Sequence, residues 1–411
     1  MDIGFVHFST EERKRVIGAL QRLREHGTID ELGIGRIRDA FADMMFPGIS
    51  TLQHHAKYFA VLPHLYYMAQ QGSYKSVREV KEKVVDLEIK MTKALMEGSP
   101  EGTNGITGSE SIRNSSKYVK YDPSYIYWTG LVAFGIIKNT GSLYNLLLDY
   151  SKRDKLHKYR SSLVEDEGGM DDLGDDDGCA FFSKPQCNFD INRKINIALS
   201  KNEAKFIRYH ILSSEKTKTS MLAYFLSHDE ISCPKEAGVE SFLNFDVSQI
   251  DNPVLQNQLR LAQNFSRFIF PIHVRYNYVF ADGCENIEAT EQLLKIFLDS
   301  LRNAEDVYTE KFLNEIFAFL GDCLNDSSVK NFCELVLDYV LQGKESGDFS
   351  MLDKLLMDRE KSIKGNIRYK LHHPQAYAYD IKHPVHFHYL TYRWGITWTI
   401  VNEIREGLKR V

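Results

Sequence analysis

Residues 28–62 read TIDELGIGRIRDAFADMMFPGISTLQHHAKYFAVL. Two short amphipathic patterns flank the break Phe46-Pro47-Gly48-Ile49. Proline cannot continue a helix and glycine accepts a left-handed turn, so this break lets one helix end and another cross it. Arg36 to Met45 is therefore expected to be one helix, and Ser50 to cap a second that runs to about Leu62. This is how a helix-turn-helix unit is written, and it is the local pattern here that suggests a class of partner.

Working outward, the chain keeps reading as helices joined by short turns. Ser9 and Glu12 make a capping box before Val16, Ile17, Leu20 and Leu23, and Gly27 ends that pattern. Ser76 opens a helix through Met96, and a glycine-rich loop over 97–109 follows it. Ser109 to Tyr118 reads as a short helix, and Asp122-Pro123-Ser124 starts another element. Ser200 with Glu203 caps a helix to Leu212, and Ser220 to Leu226 is the next. Gln249 to Phe280 is a long helical pattern that Pro271 is expected to kink or split. Glu288–Leu301, Tyr308–Leu320, Ser328–Leu341 and Tyr392–Leu408 carry apolar residues at helical spacing. The clearest strand signal is Val385 to Leu390. The expected fold is mostly α and multi-helix, with a helix-turn-helix or winged-helix-like N-terminal part.

At 411 residues the chain is long for a single domain. Residues 165–178 combine low hydrophobicity with eight acidic side chains, so they are expected to link a helical domain at 1–164 to a second at 179–411. A hydrophobic share of 43% argues against global disorder. No apolar run approaches the ~20 residues that span a bilayer, and the charged start leaves no place for a signal-peptide core. A cytoplasmic protein without membrane contact is the expectation. Six cysteines without a CxxC pair fit reduced, mostly buried thiols.

The net charge of −5 is uneven. Residues 1–160 hold 23 Lys and Arg against 18 Asp and Glu, a mild basic excess confined to the N-terminal part. If 51–62 were a recognition helix, Thr51, Gln53, His54 and Lys57 would face bases or phosphates. Arg36 and Arg38 would then grip the backbone, and Arg113, Lys117 and Lys120 would form a second basic rim. The competing interpretation is an ordinary helix hairpin whose Ile49, Leu52, Ala56 and Phe59 pack inward. Tyr125, Tyr127 and Trp128 are expected in the core. No phosphate-cradling Gly-Lys-Ser/Thr accompanies the glycines of 102–108, so no nucleotide cofactor is expected.

The motifs GxIRDAFADxxFPGxST (Gly35 to Thr51), GIxG (Gly105 to Gly108) and PSxIYWxGL (Pro123 to Leu131) resemble an uncharacterised bacterial family of unknown function. Ala262 to Ser266 and Tyr392-Arg393-Trp394 extend the likeness over most of the chain. The resemblance implies no activity; it implies an association with phage-defence gene clusters, beside helicases or nucleases. His55 stands where an arginine-like donor would be expected.

Catalytic candidates are thin. Asp380-Ile381-Lys382 fits the D/E-x-K element of a metal-dependent nuclease, and Glu88-Ile89-Lys90 matches too but falls on a helix. His372, His373, His383, His386 and His388 cluster, and His386 and His388 would share one face of a strand. No metal site is assigned from them. The expectation is a non-catalytic helical subunit that binds DNA (RNA being second choice) and docks a helicase or nuclease partner. The alternatives are a nuclease using Asp380 and Lys382, or a pure protein scaffold.

Overall fold

A computed structural model describes residues 30–114, 118–137, 141–152, 189–324, 326–365 and 368–410. Among them the chain is mostly α and contains no strand. The helices are α1 (Gly35–Met45), α2 (Lys57–Gln70), α3 (Val77–Gly98), α4 (Ser109–Asn114), α5 (Pro123–Ala133), α6 (143–152), α7 (Lys201–Ser213) and α8 (Met221–Ser227). They continue as α9 (Val239–Leu243), α10 (Pro253–Gly283), α11 (Ile287–Asn303), α12 (Glu310–Leu320), α13 (Ser327–Ser346), α14 (Ser350–Lys364), α15 (Pro374–Tyr377) and α16 (Trp394–Lys409). None of the described helices is long and apolar enough to cross a membrane.

Residues 30–38 with 267–388 make one compact unit, and 39–266 with 389–410 make another. The Ser9 helix, Lys117 and the acidic segment 165–178 lie outside the described residues, although the second unit takes in chain from both sides of that segment.

The second unit is built on α2, whose Tyr58, Phe59, Val61, Leu62, Leu65 and Tyr66 are all buried. Helices α3, α5 and α7 pack on it, and α16 packs on α7 and α8. The start points follow from capping. Ser76 Oγ accepts from Glu79 N, Asp122 Oδ1 from Tyr125 N, and Ser220 Oγ from Ala223 N. Ser200 and Glu203 complete a reciprocal capping box. Gly48 takes a left-handed φ of +85° and approaches Gly130 and Ala133 of α5 too closely for a side chain. The Phe46-Pro47-Gly48 break therefore seats one loop on a helix as well as ending α1. Phe46, Phe225, Phe242, Trp394 and Trp398 then close an aromatic core, with Phe225 and Trp398 stacked at 4.4 Å.

In the first unit α12, α13 and α14 pack in sequence. Helix α14 was not anticipated from the sequence; its buried residues Leu352, Leu356 and Glu360 recur every four positions along one side. Pro271 neither splits nor ends α10, which runs 31 residues through it.

Two expectations need correction. The helix expected from Ser50 begins instead at Lys57, after a turn at Thr51 and Leu52. The strand expected over Val385–Leu390 is a set of turns in which His386 has a φ of +47°. Asn277 explains the second case. Its Oδ1 accepts from Val385 N at 2.8 Å and its Nδ2 donates to Val385 O at 2.7 Å, so a side chain takes the bonds a neighbouring strand would make.

Candidate nucleic-acid interface

The turn at 50–56 is held by its own polar groups. Gln53 is fully buried: Nε2 donates to Gly48 O at 3.0 Å and to Ile126 O at 3.4 Å, while Oε1 accepts from Ser50 N at 3.2 Å. An amide spent on three backbone groups cannot read a base edge. Lys57 is also buried, with Nζ 2.6 and 2.7 Å from the two oxygens of Glu203. The sequence placed both side chains on a DNA-facing surface; the structure places them inside the second unit.

Thr51 and His54 are exposed, and the His54 backbone N–H donates to Tyr127 Oη at 3.0 Å. His55 is a connector. Its Nδ1 lies 2.6 Å from Glu403 Oε1 and its Nε2 lies 2.8 Å from Asn104 O. Glu403 Oε2 also accepts from Ala56 N, so a carboxylate from α16 caps the start of α2. Burial opposes a charged His55 ring, but the hydrogen bond and charge of Glu403 outweigh it and raise its proton affinity.

Arg36 and Arg38 belong to the other unit. Arg36 and Arg38 are both exposed, and Arg36 is ion-paired with Asp326. An exposed pair of this kind contributes little to stability.

An exposed aromatic pair with a cation on it lies at the start of α5 in the second unit. Asp122 caps the helix and Pro123 fixes its first turn, which places Tyr121 and Tyr125 on one side. Their rings stack at 5.1 Å and 28°, and they are 41% and 49% exposed. Lys120 Nζ sits 5.0 Å above the Tyr121 ring. Arg113 of α4 is exposed, and the exposed Lys81 of α3 bears electrostatically on Asp122. The sequence put Tyr125, Tyr127 and Trp128 in the core; Trp128 is half-buried. Only Tyr127 is fully buried, and the i, i+4 spacing of Tyr121 and Tyr125 around an Asp-Pro cap was the overlooked signal.

Beneath this surface lies a buried polar chain. Tyr66 Oη donates to Ser124 Oγ at 2.7 Å, and Ser124 N donates to Glu88 Oε1 at 2.8 Å. Burial, followed by the charge of Asp122, pushes the Glu88 carboxyl up to about 8. Glu88 is thus a core group of α3, as its helical position implied, and it takes no part in a surface site.

Asp380 lies in an exposed turn of the first unit. Its oxygens are engaged by His383 Nδ1 at 2.7 Å and Lys382 N at 2.9 Å. Those contacts, His383 foremost, hold its carboxyl below the usual range. Among the described residues the acidic and histidine groups that converge are Asp30, Glu31 and His386, and Asp380 is not one of them.

Residues 2–292 match the profile of a family described as a Family of unknown function (DUF6361). The chain belongs to this family of unknown function. Neither a curated protein nor a solved structure matches it. The DUF6361 match takes in the motifs between Gly35 and Leu131 and the Ala262–Ser266 stretch, while Tyr392–Trp394 lies beyond it. DUF6361 membership brings no activity with it, so a functional reading rests on the side chains just described.

Proposed function

We propose that the chain is a non-catalytic nucleic-acid-binding subunit that holds a single strand at the start of α5 and leaves chemistry to a partner. The observation that carries this reading is the exposed stack of Tyr121 on Tyr125 with Lys120 above it. Large apolar rings left in solvent beside cations are what unstacked bases and their phosphates use. Duplex bases are already stacked on one another, so a paired strand cannot use this platform. The burial of Gln53 removes the base-reading helix from the reading, which therefore becomes tolerant of sequence.

The test is fluorescence anisotropy of the full chain with labelled single-stranded DNA, single-stranded RNA and duplex DNA. Binding of a single strand in preference to duplex, weakened roughly 5- to 150-fold by Tyr121→Ala, is expected from a stacking contribution of about 1–3 kcal/mol per base. Equal affinity of the wild type and Tyr121→Ala would reject the platform. A nuclease centred on Asp380 predicts strand cleavage that Asp380→Ala abolishes, which the same samples would reveal.

A further inference from the structure

We infer that Asp30, Glu31 and His386 of the first unit form a binding site for one divalent ion of the imidazole-preferring class, zinc foremost. Each offers a ligand atom, and these atoms all lie within 4.8 Å of one another. Asp30 is fixed ahead of α1, where Oδ1 accepts from Leu32 N at 3.1 Å and Oδ2 accepts from Gly35 N. Glu31 is 4% exposed. Its Oε1 is taken by Lys364 at 2.5 Å and Lys370 at 3.1 Å, while Oε2 faces His386 Nε2 at 2.6 Å. One lysine-held oxygen thus orients the carboxylate so that the other meets the imidazole.

A second observation is independent of that cluster. His273 of α10 is 4% exposed, and its Nδ1 has no hydrogen-bond partner among the described residues. Buried ring nitrogens are ordinarily satisfied. The His273 ring lies 5.8 Å from the His386 ring and is electrostatically coupled to Asp30, Glu31, His386 and His388. It is a buried, unsatisfied imidazole beside the cluster, outside the three groups whose ligand atoms converge. His388, whose ring is 6.4 Å from that of His386, is exposed.

The donor atoms select the metal class. Lys364 and Lys370 both occupy Glu31 Oε1, Lys364 also reaching the buried Glu360 at 3.6 Å, so few oxygen atoms are left for a hard ion that needs six or more of them. An ion that bonds imidazole nitrogen gains from His386 whatever the net charge. Tetrahedral zinc bonds of about 2.0–2.1 Å set ligand atoms about 3.3 Å apart, so Glu31 Oε2 and His386 Nε2, now 2.6 Å from each other, would part and exchange their mutual contact for the ion.

The experiment uses the full chain stripped of metal, titrated with zinc chloride or magnesium chloride by calorimetry, with zinc content read after dialysis. One zinc per chain, a raised melting temperature and no response to magnesium are expected. His386→Ala and Asp30→Asn should each weaken zinc binding at least tenfold, with far-ultraviolet circular dichroism confirming the fold. A control variant carrying His372→Ala and His373→Ala, both exposed, should keep the full stoichiometry. X-ray absorption at the zinc edge of the wild type needs no variant, and nitrogen and oxygen neighbours alone are expected. Absence of stoichiometric zinc, a sulfur shell, or loss of zinc only in the surface-histidine variant would overturn the inference.

Discussion

Lys57 and Glu203 form an ion pair buried in the second unit, each side chain 5% exposed, with Nζ within 2.7 Å of both carboxylate oxygens. Glu203 also accepts from Ser200 N at 2.6 Å, so one carboxylate closes the capping box of α7 and fixes the first residue of α2. A lysine that the sequence offers to a phosphate is a fastener between two helices.

Removing one partner of such a pair leaves the other charge buried and uncompensated. Lys57→Ala is expected to destabilise the second unit by about 3–5 kcal/mol. Replacing both residues, as Lys57→Met with Glu203→Gln, which keeps an acceptor for Ser200 N, should recover much of that loss. Urea denaturation of the two variants checks the pair. Nucleic-acid affinity of folded Lys57→Ala should match the wild type, since its ammonium is buried against Glu203.

Glu88 makes stability depend on pH in a stated direction. In the unfolded chain the carboxyl ionises near its ordinary 4.5, whereas burial and Asp122 hold it protonated in the fold up to about 8. The folded state therefore binds the proton more tightly. The resulting stabilisation is complete below 4.5, declines as pH rises and is gone above about 8. Glu88→Gln keeps the acceptor for Ser124 N and cannot ionise. Its melting temperature should fall less than that of the wild type between pH 5 and pH 9, followed by thermal denaturation at each pH. An unchanged slope would remove Glu88 as the cause.

Gly130 is a packing requirement. A Cβ there would stand 2.5 Å from Phe59 Cε1 and 2.7 Å from Gly48 O, and neither the buried ring nor the loop backbone has room to yield. Gly130→Ala should cost about 1–3 kcal/mol by overpacking. Gly102 has open space where its Cβ would be. Its alanine variant should be milder, although a φ of +82° still penalises a side chain. Paired denaturation curves separate the two effects.

The sequence made the helices legible where a side chain announces the start. Ser76, Asp122, Ser200 with Glu203, and Ser220 all cap as their spacing predicts. It misled at Ser50, because Gln53 satisfies Ser50 N and Gly48 O and so holds a turn where a helix would otherwise begin. Leu52, taken as an inward residue, is 44% exposed as a result. The histidines at 386 and 388 failed as a strand for a reason no local pattern carries: Asn277 lies more than a hundred positions away in sequence. The metal-capable group was illegible for the same reason, since Asp30 and Glu31 meet His386 only through the fold.

The platform on α5 makes two separable contributions to binding, and salt distinguishes them. A lysine on a phosphate releases a counterion, so Lys120→Ala should lower the slope of log affinity against log salt by about 0.7 for a single strand. A tyrosine under a base releases none. Tyr121→Ala and Tyr125→Ala should weaken binding by a similar factor at every salt concentration and leave the slope unchanged. Neither tyrosine is buried and the Asp122 cap is untouched, so both variants should fold with the wild-type melting temperature. Anisotropy titrations across a series of salt concentrations read both quantities from the same samples. A slope that moves with the tyrosines and not with Lys120 would mean that the rings only position the cation, and that the strand is held by charge alone.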